Sequence, residues 1–279
     1  MKTLQNILIP VDFTPHADNA LRYAVALAGN LSGVKLFILH TYHLPAAVTG
    51  ASAMALAPYY DEDLRETTAL KFTELEQRLL QQCRVPYQFI SEYGPAVPDI
   101  CEVSERNNID LIILPAHPLS ALEEYIGNVT TATIRNSGVP VLVIPPTCSF
   151  VIPDAIVFAT DCKNTPNETA REQLKPWLLQ FKPRLHLLHT GKDLNHLPED
   201  KALNLLALET LFSSFSPILK VEEAEDPEEG IISHVKEKQA SILAILPRKH
   251  GPLYHLLNKS VTHRLAFHTP VPMLVLKEY

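Results

Sequence analysis

The chain repeats itself at a fixed spacing. "NILIPVD" (Asn6 to Asp12) has the form of "AIVFATD" (Ala155 to Asp161), and "LFILHT" (Leu36 to Thr41) that of "LHLLHT" (Leu185 to Thr190), both 149 positions on. "DLIILP" (Asp110 to Pro115) is answered by "ILAILP" (Ile242 to Pro247), and "GVPVLVI" (Gly138 to Ile144) by "PVPMLVL" (Pro270 to Leu276), both 132 positions on. A repeat constrains the fold more than any single motif, because each unit must solve the same packing problem. The fall from 149 to 132 implies an insertion of 17 residues in the first unit. It is expected at "LPAAVTGASAMALAP" (Leu44 to Pro58), as an apolar lid, an interface or a disordered loop.

Within each unit the pattern reads strand, helix, strand, helix, strand, helix, strand. Ala20, Tyr23, Ala24, Leu27 and Leu31 fall on one helical stripe. Thr14-Pro15 and Thr165-Pro166 are N-cap signals, and Glu168 completes a capping box with Thr165. Leu111 to Leu114 and Val141 to Ile144 are unbroken apolar runs, as a parallel sheet covered by helices on both faces requires. The expected fold is α/β: two tandem, doubly wound, Rossmann-like domains. Residues 1–146 form the first, 147–152 a proline-flanked linker, and 153–279 the second. In such sheets ligands sit beyond the carboxyl ends of the strands. Asp12, Asp161 and the loops after Leu114 and Leu246 lie at that edge.

Composition excludes several classes. A net charge of −7 gives no general attraction to nucleic acid or to an anionic membrane. No apolar window is long enough to cross a bilayer, and the N-terminus lacks a signal-peptide pattern. Cys83, Cys101, Cys148 and Cys162 show no CxxC spacing and read as reduced thiols of a cytoplasmic protein.

"ILIPVDFTPHADNAL", "LFILHTY" and "GNVTTATIRNSGVPVLVI", with their second-half counterparts, resemble the universal stress protein family in its tandem form. The resemblance implies five-stranded parallel sheets paired through their last strands, here Val141 to Ile144 and Met273 to Leu276. It implies an intramolecular pseudo-dimer that is a monomer or a homodimer. ATP-binding members carry an Asp after the first strand and a G-x2-G-x9-G-[S/T] loop around the phosphates. Asp12 and Asp161 fit the Asp, and Gly127 fits the third glycine. Asn128 stands for the Ser/Thr. Pro115 and Pro118 fall on the first two glycines, with the distance to Gly127 one residue short. In the second half Pro247 and His250 take those places and Lys259-Ser260 replaces Gly-Ser.

Glycine admits positive φ and lets backbone N–H groups approach an oxyanion. Proline fixes φ and has no N–H, so the first-half phosphate cradle is expected to be lost. The second half keeps Arg248, Lys249, Lys259 and Ser260, whose charge and helix-start N–H groups can hold an anion. The bland alternative is a solvated basic face opposite the acidic run Val221 to Gly230. A zinc site among His250, His255, His263 and His268 is disfavoured by their spacing, and His186 and His189 point to opposite strand faces. No catalytic motif stands out. The expected function is a cytoplasmic, non-enzymatic stress-response module with degenerate ATP loops. ATP, another adenine nucleotide or another small anion is its expected ligand class, in the second half. The alternatives are a weak ATPase and a pure protein-interaction module.

Overall fold

The computed structural model describes residues 3–43, 51–116, 129–162, 168–191, 198–247 and 269–278, with residues 51–61 as backbone only. The first half runs β1 (Asn6–Pro10), α1 (Pro15–Ala28), β2 (Lys35–Tyr42), α2 (Ala51–Leu75), β3 (Tyr87–Tyr93), α3 (Ala96–Arg106), β4 (Leu111–Pro115), α4 (Val129–Asn136) and β5 (Val141–Ile144). The second runs β6 (Ala155–Ala159), α5 (Glu168–Phe181), β7 (Arg184–Gly191), α6 (Glu199–Leu211), β8 (Ile218–Glu223), α7 (Pro227–Glu237), β9 (Ile242–Ile245) and β10 (Met273–Val275).

The ten strands form one sheet in the order β3-β2-β1-β4-β5-β10-β9-β6-β7-β8. Every pairing is parallel except β5 with β10, where Val143 stands opposite Met273 and Val141 opposite Val275. The last strands therefore join the two doubly wound halves within one chain, as the resemblance implied. Because that pairing is antiparallel, the carboxyl edges of the two five-stranded halves face opposite ways. Strands buried on both faces need apolar residues throughout, and β4, β5, β6 and β9 are buried at every position. One core layer packs Leu21 and Leu27 of α1, Phe72 of α2, Trp177 of α5 and Leu208 of α6 on one face of the sheet. The other packs Ile100 and Val103 of α3, Ile134 of α4, and Ile231 and Val235 of α7 on the opposite face.

Strand register corrects two expectations. Ile7 pairs with Leu111 in the first half and Ile156 with Ile242 in the second. The β4 and β9 segments thus correspond at 131 positions, not 132, and Leu246, not Pro247, stands where Pro115 does. Pro118 likewise corresponds to Lys249, not His250. The matching "LP" endings had pulled the alignment by one residue. The expected loop at Leu44 to Pro58 is also revised: residues 51–58 belong to α2, which spans 25 residues against 13 for α6. Residues 44–50 lie outside the described residues.

Candidate functional site

Each half builds its first turn alike. In the first, the β1 backbone reverses at Phe13, whose φ of 62° lies in the left-handed region. Thr14 then opens α1: its Oγ1 donates to Asp12 Oδ1 at 2.6 Å and accepts the Ala17 N–H at 3.3 Å. The Thr14 N–H also donates to Asp12 Oδ1, at 3.0 Å. Asp12 is solvent-exposed. This carboxylate braces the turn. In the second half Cys162 takes the same left-handed conformation, φ 56°, 149 residues on from Phe13. Its N–H donates to Thr160 Oγ1 at 3.1 Å, and its carbonyl accepts from Asn204 Nδ2 of α6 at 3.0 Å. Asp161 is half-buried between them. Two non-glycine residues held at positive φ beside the carboxyl ends of β1 and β6 mark turns whose shape the surroundings enforce.

A histidine backs each turn. His40 Nδ1 lies 2.8 Å from the Val11 carbonyl, and His189 Nδ1 lies 2.9 Å from the Thr160 carbonyl. A carbonyl only accepts, so both imidazoles carry their hydrogen on Nδ1 and present the Nε2 lone pair elsewhere. Burial pushes both below the ordinary imidazole range, opposed by the carbonyl hydrogen bond; Lys71 adds to the depression of His40 and Lys201 to that of His189. Phe13 packs on His40 with ring centroids 4.5 Å apart, and the Lys71 ammonium lies 5.3 Å from the Phe13 ring.

The exit of β4 decides what the first half can bind. Pro115 has no N–H, and its carbonyl accepts from Thr130 Oγ1 at 3.0 Å. The next N–H, of Ala116, donates to the Ile144 carbonyl at 2.8 Å. Neither backbone position leaving the strand offers a donor to a phosphate. In the second half Leu246 replaces Pro115 and retains its N–H. Gly127, Asn128, Pro118, Arg248, Lys249, Lys259 and Ser260 lie outside the described residues, as do His250, His255, His263, His268 and the Thr165-Pro166 cap.

Asp12 and Asp161 do not meet. The strands they follow are five steps apart in the sheet, roughly 24 Å at ordinary strand spacing, and they leave opposite edges. A cavity of about 350 Å³ opens at the seam between the halves, lined by Tyr23, Cys148, Asp154, Ser241, Val271 and Pro272 and away from both aspartates. All four cysteines are free. Among the described residues no group of three or more His, Cys, Asp or Glu side chains could hold a metal ion, and no helix is long and apolar enough to cross a membrane.

A doubly wound parallel sheet with an Asp-bearing turn at the carboxyl edge of each half defines a tandem α/β protein. The model of the universal stress protein family matches residues 3–145 and 191–277, and the chain belongs to that family. A universal stress protein from Archaeoglobus fulgidus is 19% identical, with a TM-score of 0.69, covering 99% of this chain and 98% of its own. A putative universal stress protein from Pseudomonas aeruginosa is 17% identical, with a TM-score of 0.59, covering 98% of this chain and 93% of its own. No curated protein matches the chain. The family match omits β6, α5 and most of β7, and with them the turn at Asp161.

The sequence missed a buried side-chain chain in the second half. Glu222, His234 and His186 are linked by hydrogen bonds of 2.6 and 3.2 Å. One signal for it was present: the repeat that aligns "LFILHT" with "LHLLHT" puts a histidine where the first half has Phe37.

Proposed function

We propose that this chain is a cytoplasmic, non-enzymatic regulatory module of the stress response whose first half has lost its nucleotide site. The β4 exit carries this reading: Pro115 lacks a donor and the Ala116 N–H is consumed by Ile144. A triphosphate cradle works by pointing successive N–H groups at the anion, and these two positions offer none. In the second half Leu246 keeps its N–H, and Arg248, Lys249, Lys259 and Ser260 supply charge and a hydroxyl. That half is the one that binds an adenine nucleotide or another small anion, with Asp161 at the rim. The Thr14 hydroxyl that bonds Asp12 also caps α1 through the Ala17 N–H, which supports a structural over a nucleophilic role for that pair.

Calorimetry of ATP, ADP and AMP against the full chain tests the reading. Binding is expected to survive Asp12→Ala and to weaken at least tenfold in Lys259→Ala and Asp161→Ala. Binding abolished by Asp12→Ala alone would show that the first half is the site. Absence of binding to the wild type would remove the nucleotide reading and leave a pure interaction role. Phosphate release from ATP that disappears in Asp161→Ala would overturn the non-enzymatic assignment.

A further inference from the structure

α7 rests on β7 with Ile231 and Val235 in the core and His234, fully buried, between them. His234 Nδ1 lies 2.6 Å from Glu222 Oε1 of β8, and His234 Nε2 lies 3.2 Å from His186 Nδ1 of β7. The two rings meet edge to face, with centroids 5.3 Å apart. His186 is 3% exposed, and its Nε2 has no hydrogen-bond partner among the described residues. Glu222 is a third exposed, so the chain runs from solvent into the core.

The first half is an internal control. At 149 positions back, His186 corresponds to Phe37. At 131 back, the spacing that relates β4 to β9 and the left-handed Asn108 to Gln239, His234 corresponds to Val103. Phe37 and Val103 are both buried in the same core layer. Glu92 corresponds to Glu222 through the parallel pairings Thr41–Glu92 and Thr190–Glu222, and it is bound instead by Arg106. The fold thus seats this helix with an apolar pair, and the second half spends the same position on two imidazoles. A buried polar chain is no more stabilising than the apolar pair it replaces. What it adds is the ability to titrate.

Proton counting shows how. The carboxylate only accepts, so His234 Nδ1 carries hydrogen. When both rings are neutral, His186 Nδ1–H donates to His234 Nε2, leaving His186 Nε2 a bare buried acceptor. One added proton is accommodated: His234 becomes an imidazolium between Glu222 and His186, and the His186 hydrogen sits on Nε2. A further proton on His186 puts hydrogens on both facing nitrogens and removes the bond. Besides burial, the positive charges that face His186 oppose that step: His234 of α7, Arg184 of β7, Lys238 beyond α7 and Lys220 of β8. Arg184 pairs with Asp154 at 3.6 Å, and Lys238 bonds Glu237.

We propose that Glu222, His234 and His186 form an acid-sensitive latch that seats α7 on β7 and the edge strand β8 and releases it when the second proton enters. Release would reach the candidate ligand turn. Thr190 Oγ1 donates to the Pro227 carbonyl at 3.2 Å, and the Ala224 N–H donates to the Gly191 carbonyl at 2.9 Å, so the start of α7 is tied to the end of β7. That strand end carries His189, which holds the Thr160 carbonyl beside Asp161. The latch stands on these contacts whether or not a nucleotide binds.

Hydrogen exchange of the full chain between pH 7.5 and 5, corrected for intrinsic exchange rates, tests the latch, with α3 as internal reference. Protection of α7 is expected to fall about tenfold per pH unit relative to α3 once opening takes up one proton. The double change His186→Phe, His234→Val, which writes the first-half pair into the second, is expected to remove that difference. Nitrogen-15 spectra of the imidazoles provide a readout that needs no refolded variant: His186 is expected to stay neutral below the ordinary imidazole range, with its hydrogen on Nδ1 at neutral pH. Parallel loss of protection in α7 and α3, a difference that survives the double change, or two imidazoles titrating as independent, ordinary groups would each overturn the proposal.

Discussion

Single side chains set the turns that follow β1 and β6, and they differ in how readable they are. Thr14-Pro15 is visible as an N-cap followed by proline because capping chemistry is local. The Thr14 hydroxyl serves both the Ala17 N–H and Asp12. Thr14→Ala is therefore expected to destabilise the fold by about 1 kcal/mol in denaturant melts, and Thr14→Ser to restore most of it. A Thr14→Ala variant as stable as the wild type would show that the cap is redundant. The left-handed Phe13 and Cys162 carry no sequence signal, because neither is a residue that favours positive φ. Only the packing around each turn reveals them. His186 was legible in part: the repeat places it at a buried Phe position. Its partners Glu222 and His234 come from a strand and a helix that only the fold brings together.

At the level of strands and helices, the repeat carried most of the architecture. The 149-residue spacing of β1 to β6 and β2 to β7 holds in the pairings, since Asn6 faces Lys35 as Ala155 faces Arg184. The one-residue error at β4 and β9 arose because identical "LP" endings outweighed an apolar run that slides without penalty; hydrogen-bond register does not slide. The insertion was placed correctly between β2 and β3, but small apolar residues do not distinguish a loop from a helix, and part of it extends α2. The π-helical turn that continues that helix, Glu76–Leu80, is fastened by an ion pair no pattern announces. Arg78 Nη1 reaches Asp18 Oδ2 at 2.5 Å, and Nη2 reaches Oδ1 at 3.3 Å. Asp18 is 5% exposed, so Arg78→Ala would leave a buried carboxylate without its guanidinium. A loss of about 1–3 kcal/mol is expected from chemical denaturation. Asp18→Asn with Arg78→Ala should cost less than Arg78→Ala alone, because the stranded charge is then gone.

Across the molecule, the ten-stranded sheet makes the seam between halves part of the core. Lys277, 8% exposed just beyond β10, donates its ammonium to the Ile134 carbonyl of α4 in the other half. Burial lowers it from 10.5 to about 8, with the Cys101 thiol opposing. Between those values the native chain holds fewer protons than the unfolded one, so this group adds stability as pH rises. Relative to Lys277→Met, the wild type is expected to gain roughly 2–3 kcal/mol between pH 8 and 10. A constant difference across that range would place the amine in solvent.

The histidines act at the other end of the scale, again across both halves. His40 and His189 hold the turns after β1 and β6, and His186 lies in the proposed latch; burial lowers all three below 6.5. A depressed imidazole is neutral in the native state while its unfolded counterpart takes up a proton. The unfolded chain therefore binds more protons below pH 6.5, and stability falls as pH falls through that value. Each of the three contributes a slope of up to about 1.4 kcal/mol per pH unit until its native form titrates too. Denaturant melts from pH 7.5 to 5 should show the fall, shallower by one histidine in His186→Phe, His234→Val. Turns that stay closed while the latch opens would give two steps, with α7 lost first; a single transition with an unchanged slope in that variant would mean His186 does not titrate apart from the fold.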